Sequence, residues 1–103
     1  GGKNISAAQV EDAVMTHPAI AVAAAVPIRD QVFGEKVCVY VELADAARAG
    51  TGTLALAELI EHLLALEVSK ELLPERLVVI DELPRSSGGK IAKGKLREIS
   101  GYS

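Results

Sequence analysis

Ala19-Ile20-Ala21-Val22-Ala23-Ala24-Ala25-Val26 and, after a break, Lys36-Val37-Cys38-Val39-Tyr40-Val41-Glu42-Leu43 decide the fold of this chain. In the first segment the larger side chains Ile20, Val22 and Val26 alternate, with Ala24 between them, and the opposite face is all alanine. That pattern predicts a strand packed closely on both faces. In the second, Val37, Val39, Val41 and Leu43 oppose Cys38, Tyr40 and Glu42. Pro27, Asp30 and Gly34 interrupt the pattern between the two, so the strands are expected to pair antiparallel across that loop.

On the N-terminal side, Ser6 is placed to cap a helix and Gln9, three residues on, to return a bond to the cap amide. Ile5 and Val10 sit where a hydrophobic staple belongs. The helix should run from about residue 7 to 16, because Pro18 disfavours helical geometry at His17. On the C-terminal side, residues 44 to 52 read as a small, flexible connection. Thr53 is then a cap for a helix whose apolar stripe is Leu56, Leu59, Ile60, Leu63 and Leu64. Pro74 closes that region, Arg76 to Asp81 reads as a third strand, and Leu83-Pro84 opens a turn-rich tail in which a short helix resumes near Lys93. The elements add up to an α+β domain, a small, mainly antiparallel three-stranded sheet with flanking helices. No internal repeat is present.

A chain of 103 residues makes one domain, and it buries enough surface for a modest core without staples. Half of it is hydrophobic, but alanine dominates and Phe33, Tyr40 and Tyr102 are the only aromatics, so the core must be small and aliphatic. A charged fraction of 24% and a net charge of −3 argue against disorder and against a nucleic-acid binder using the whole chain. One cysteine excludes an internal disulfide, and Cys38 with two separated histidines makes no zinc site, so no metal is expected. The longest apolar stretch, Ala19 to Ile28, is too short to span a bilayer at about 20 residues, and Gly1-Gly2-Lys3-Asn4 is no signal peptide. A reducing, cytoplasmic setting is expected.

The tail departs from the rest in charge. Residues 84 to 98 carry Arg85, Lys90, Lys93, Lys95 and Arg97 against Glu98 alone, a balance of +4 that leaves −7 on the remainder of a chain of net −3. A basic loop on an acidic body points to an anionic partner. Arg85-Ser86-Ser87-Gly88-Gly89 reads as flexible backbone that presents the Lys90 ammonium. A phosphate-binding Walker loop is rejected by spacing: Pro84 stands where its first glycine is needed, and Ile91 where a metal-binding Ser or Thr is needed. On chemistry alone a solvated basic turn and an anion-contacting lysine both stay open. Contact with nucleic acid is the weaker reading, because no aromatic lies near for base stacking. His17 reads as a helix-end residue near carbonyls, Cys38 as a small packed thiol, and His62 as solvent-facing opposite the leucine stripe.

Several short motifs in register carry a resemblance. They are Gly1-Gly2-Lys3-Asn4-Ile5-Ser6, Gln9-Val10-Glu11, His17-Pro18-Ala19-Ile20, Gly34-Glu35-Lys36-Val37, Leu73-Pro74-Glu75-Arg76, and Asp81-Glu82-Leu83-Pro84-Arg85 through Gly89-Lys90-Ile91. Together they resemble the small C-terminal domain of AMP-forming acyl-CoA synthetases, in the adenylate-forming superfamily, over essentially the whole chain. The resemblance implies that residues 1–103 are the mobile lid of a two-domain ligase, with its hinge just upstream of Gly1. Such a ligase joins a carboxylic acid to ATP, with Mg, as acyl-AMP. It then passes the acyl group to coenzyme A or to the pantetheine of a carrier protein.

The partners it implies are the enzyme's own N-terminal domain, which carries the phosphate loop and the acid pocket, with ATP, the acid and the thiol. Neither nucleic acid nor a transmembrane segment is expected. The lid alone should be inactive, and no cofactor is expected to bind it tightly. Lys90 matches the adenylation lysine, with Gly88 and Gly89 letting its loop reach the cleft. Gly1, Gly2, Lys3 and Asn4 match the loop that meets the thiol's pantetheine arm after the lid swings. Lys90 also falls where related synthetases are switched off by lysine acetylation.

Departures exist: Leu72 replaces a common lysine, with Lys70 displaced, and Lys3 stands where glutamate is common. Asn4-Ile5-Ser6 and Gly89-Lys90-Ile91-Ala92 are more similar to acyl- or aryl-acid ligases than to amino-acid-activating domains. The other readings are a non-catalytic carrier-protein or nucleic-acid interaction module, and an aryl-acid adenylating domain that delivers to a carrier protein.

Overall fold

A computed structural model of the chain describes residues 6–30, 34–50 and 52–100. Ser6 Oγ accepts the Gln9 N–H at 3.3 Å and starts α1 (Ala7–Val14). The helix stops two residues earlier than the sequence suggests. The Thr16 hydroxyl donates to the Ala13 carbonyl at 2.6 Å, and the chain turns through Thr16 and His17 ahead of Pro18. Ile5, the expected staple partner of Val10, lies outside the described residues.

Strands β1 (Ile20–Asp30) and β2 (Gly34–Leu43) pair antiparallel, as their alternation requires. β1 continues through Pro27, where the sequence suggested a break. The sheet order is β1-β2-β3, so β1 is an edge strand, and a proline there forfeits no ladder bond on its open side. The register slips between Ile20, opposite Leu43, and Val22, opposite Glu42, which makes Ala21 the extra residue of a bulge. Ile20 and Val22 therefore face opposite sides, not the one face their spacing implies.

Residues 44 to 52 are not simply a loop: α2 (Asp45–Ala49) forms there. Its Arg48 donates from Nε to the Leu43 carbonyl at 3.1 Å and from Nη2 to the Asp81 carbonyl at 2.5 Å, tying the end of β2 to the segment after the third strand. Helix α3 (Leu56–Ala65) is capped at Ala55 without a side-chain bond, so Thr53 is not its cap. A 3-10 turn (Lys70–Leu72) leads to β3 (Arg76–Val79), which runs parallel to β2. The sheet is thus mixed, and most of its ladder is the antiparallel pair. The parallel pairing follows from the connection, since a chain that crosses the sheet through a packed helix returns at the end where it left. Helix α4 (Lys93–Ser100) closes the described chain.

Two aliphatic cores lie on the two faces of the sheet. On one, Val10 and Val14 of α1 and Leu59 and Leu63 of α3 pack on Ile20, Ala23, Ala25, Val37, Val39, Val41 and Leu43. The alanines of β1 give α1 room to lie close. The stripe of α3 is narrower than its spacing suggests, because Leu64 is 51% exposed. On the other face, Leu83 and Leu96 pack on Ala24, Val26, Cys38 and Tyr40, with Val22, Val78, Ile80 and Ile91 around them. Tyr40 donates its buried hydroxyl to the Leu96 carbonyl at 3.1 Å, which holds α4 on the sheet. The open edge of β1 is closed by Glu11, whose Oε2 accepts the Ala25 N–H at 2.8 Å and pairs with Lys93 Nζ at 2.7 Å. One carboxylate so links α1, β1 and α4, and a hydrogen bond to a charged group of this kind contributes about 1.5–3 kcal/mol.

Candidate active-site hairpin

The tail that the sequence singles out leaves the sheet at Leu83, which is 1% exposed and anchored in the second core. Its N–H donates to Glu42 Oε2 at 2.8 Å. From there the chain folds into a small hairpin. Arg85 and Ile91 form an antiparallel bridge, and the Ala92 N–H donates to the Pro84 carbonyl at 2.8 Å. The Ser86 N–H donates to the Lys90 carbonyl at 2.7 Å, the Ser86 hydroxyl donates to the same oxygen at 3.2 Å, and the Gly89 N–H donates to the Ser86 carbonyl at 2.9 Å.

This is a three-residue hairpin loop closed by a residue in the left-handed region, and Gly89 takes that role with φ +80°. Where the sequence reads as flexible backbone at residues 85 to 89, the segment is hydrogen-bonded across its base and its tip. Of its two glycines only Gly89 is required by the turn. Gly88 lacks a positive φ, and a Cβ there would meet nothing within 4 Å.

Alternation across the hairpin sends Ile91 into the second core and leaves Lys90 exposed. Among the described residues, no carboxylate or hydrogen-bond acceptor holds Lys90 Nζ. Its basic neighbours differ. Arg85 donates from Nη1 to the Gly89 carbonyl at 3.1 Å and lies 3.9 Å from Glu42 Oε2, and Lys93 is taken up by Glu11. The local excess of positive charge is thus reduced by two internal pairs, and the ammonium at the hairpin's closing position stays available for an external anion.

Other residues named from sequence are placed as follows. Leu72 packs against the first core and offers nothing to an anion, while Lys70 is exposed on the 3-10 turn. Cys38 is fully buried, and burial pushes its thiol pKa up against the smaller opposing effects of the Tyr40 hydroxyl and Arg76. It is a packed thiol, as read.

The histidines are not as read. His17 accepts the Ala19 N–H through Nδ1 at 3.0 Å instead of approaching carbonyls, and its ring meets that of His62 edge-on at 4.8 Å. His62 Nε2 lies 2.8 Å from Thr16 Oγ1, so this side chain is half-buried against the turn that follows α1 and not free in solvent. Burial holds the His17 pKa below its ordinary value, with His62 adding to the effect and Glu58 opposing it.

Gly1, Gly2, Lys3 and Asn4 lie outside the described residues. Among those described, no group of three His, Cys, Asp or Glu converges on a point where a metal could sit. No helix in them is long and apolar enough to cross a membrane. Glu42 and Glu11 were missed as site-building residues. Their signal was present in the sequence as one carboxylate in the apolar run of residues 37 to 43 and one on the inner flank of an amphipathic helix.

Relatives share both the sequence and the fold. A medium-chain fatty-acid–CoA ligase of Escherichia coli is 41% identical over 98 residues, covering 95% of this chain and 17% of that protein. A salicylyl-CoA synthase / salicylate adenylyltransferase of a Streptomyces species is 40% identical over 99 residues, 96% of this chain and 17% of that protein. Among solved structures, an acyl-CoA synthetase of Brucella canis superposes with a TM-score of 0.81 at 30% identity, over 97% of this chain and 18% of that one. Apo MbtA of Mycobacterium smegmatis does so with a TM-score of 0.80 at 36% identity, over 93% of this chain and 17% of that one. The chain therefore spans about a sixth of the length of the proteins it matches. Residues 9–90, from the first turn of α1 to the lysine that closes the hairpin, match the profile of one family, and the chain belongs to it: the AMP-binding enzyme C-terminal domain.

Proposed function

We propose that residues 1–103 are the mobile C-terminal lid of an AMP-forming acid–thiol ligase and that Lys90 is its adenylation lysine. One observation carries this: Lys90 closes a hydrogen-bonded hairpin anchored at Leu83 and Ile91, and among the described residues its ammonium has no internal partner. In the reaction proposed, a carboxylate oxygen attacks the α-phosphorus of ATP and pyrophosphate leaves. Negative charge builds on the phosphoryl oxygens, and a positioned ammonium stabilises that state more than the ground state. The ion that accompanies ATP is assigned to the N-terminal domain, together with the nucleotide and the acid pocket.

After adenylation the lid swings and Lys90 withdraws. The Gly1-Gly2-Lys3-Asn4 loop then takes its place, its glycines admitting the narrow pantetheine arm. Coenzyme A is the acceptor proposed, and a carrier-protein pantetheine is the alternative. The acid is an acyl or aryl acid, a reading supported by similarity both to a fatty-acid–CoA ligase and to a salicylate-activating enzyme. The internal pairing of Arg85 and Lys93 counts against a nucleic-acid module. The free Cys38 accords with a reducing, cytoplasmic setting.

The test uses the full-length enzyme. Lys90→Ala should slow acid-dependent pyrophosphate exchange on the order of 10² to 10³-fold while thioester formation from supplied acyl-AMP survives. Replacing Gly2 by a bulky residue should do the reverse. Equal loss of both half-reactions in each variant would refute the assignment.

A further inference from the structure

Glu42 is the one charge in the inner run of β2, between buried Val41 and Leu43, and its side chain is only 17% exposed. A carboxylate so placed needs partners. Its Oε2 has two, the Leu83 N–H at 2.8 Å and the Arg85 guanidinium, whose Nη2 is 3.9 Å away. The other terminal nitrogen of Arg85, Nη1, donates to the Gly89 carbonyl at 3.1 Å. That carbonyl belongs to the peptide bond whose nitrogen is Lys90's own. The guanidinium thus lies between a carboxylate fixed in the central strand and the peptide that sets the direction in which Lys90 leaves the hairpin. Its planar fork suits this two-ended contact, which a lysine ammonium, as a single point charge, does not reproduce.

We propose that Arg85, oriented by Glu42, is a positioning residue for Lys90: it holds the Gly89–Lys90 peptide so that the ammonium is presented at one fixed place. The proposal rests on the reading of Lys90 as the adenylation lysine. The side chain of Arg85 is 42% exposed and its pair with Glu42 is long, so the contact adds little to stability, and its loss should be felt in the reaction instead.

The experiment uses the full-length enzyme with Arg85→Ala, Arg85→Lys and Glu42→Gln, each with Lys90 intact and with Lys90→Ala. It measures pyrophosphate exchange, thioester formation from supplied acyl-AMP, and deuterium uptake across residues 85–91. With Lys90 intact, Arg85→Ala should lower kcat for exchange about 5- to 20-fold, the scale expected when a catalytic group is slightly misplaced, with KM for ATP unchanged. Arg85→Lys should not rescue it. Glu42→Gln, which keeps an acceptor for Leu83 but loses the charge, should fall between.

Thioester formation should hold, uptake across the hairpin should rise, and in the Lys90→Ala background Arg85→Ala should cause no further loss. A further loss of the same size there would show Arg85 acting on the nucleotide itself and would overturn the proposal. Unchanged exchange with Lys90 intact, or parallel loss of both half-reactions, would overturn it as well. If Lys90→Ala alone leaves exchange intact, the reading of Lys90 fails. The Arg85 contact is then judged by uptake alone, where an unchanged rate overturns it and a faster one supports it.

Discussion

Gly88 and Gly89 are adjacent and identical in composition, yet an added methyl should have opposite effects at the two. At Gly89 the backbone sits at φ +80° and both its polar groups are committed, Ser86 accepting its N–H and Arg85 donating to its carbonyl. An L-residue held there costs about 1–2 kcal/mol. With RT near 0.59 kcal/mol, Gly89→Ala should therefore open the hairpin roughly 5- to 30-fold more often, and the amides of Ser86 and residue 89 should exchange faster by that factor. Gly88 has no positive φ and nothing within 4 Å of an added Cβ. Gly88→Ala should leave those amides protected and stabilise the chain by about 0.4–1 kcal/mol through the unfolded state. Amide exchange followed by NMR on the 103-residue chain measures both. Equal loss of protection in the two variants, or none in Gly89→Ala, would refute the reasoning. In the full-length enzyme the pair also separates two needs: if Gly88→Ala keeps the hairpin but slows adenylation, that glycine serves close approach to the N-terminal domain.

Burial, with the neighbouring His62 adding to it, holds the His17 pKa below its ordinary value, so its folded pKa lies below its unfolded one. The stability it contributes is full above the ordinary value of 6.5 and is lost as pH falls below it toward the folded pKa, so urea midpoints should drop from about pH 7 to pH 5. His17→Asn, whose Oδ1 can take the place of Nδ1, should flatten that slope, and an unchanged slope would assign the pH dependence elsewhere. Tyr40→Phe removes the donor to the Leu96 carbonyl and should destabilise the chain by about 1 kcal/mol in denaturant titrations. Faster amide exchange should be confined to α4. Acetyl-lysine installed at position 90 alone should abolish pyrophosphate exchange in the full-length enzyme and spare thioester formation, because it removes the ammonium while keeping the stem. Acetylation of Lys93 or Lys95 alone should leave exchange largely intact.

The strands and the capped first helix were legible in the residue order because each depends on local rules: period-2 alternation and a Ser6 cap. The role proposed for Lys90 rests on resemblance, through Gly89-Lys90-Ile91 in register with motifs along the whole chain. Tertiary structure decided the remainder. Ile20 and Val22 share a spacing but not a face, because a bulge at Ala21 depends on pairing with Leu43 and Glu42, which the local pattern does not record. Pro27 could stay in a strand only because that strand ended up at the sheet edge, and β3 ran parallel only because α3 packed across the sheet before it. The charges of the tail depended most on the fold. Arg85 and Lys93 look like Lys90 in sequence, yet Glu42 and Glu11, distant along the chain, engage the first two and not the third. Ionic partners are chosen by proximity in space, and a run of basic residues carries no record of which carboxylates the folded sheet will bring beside it.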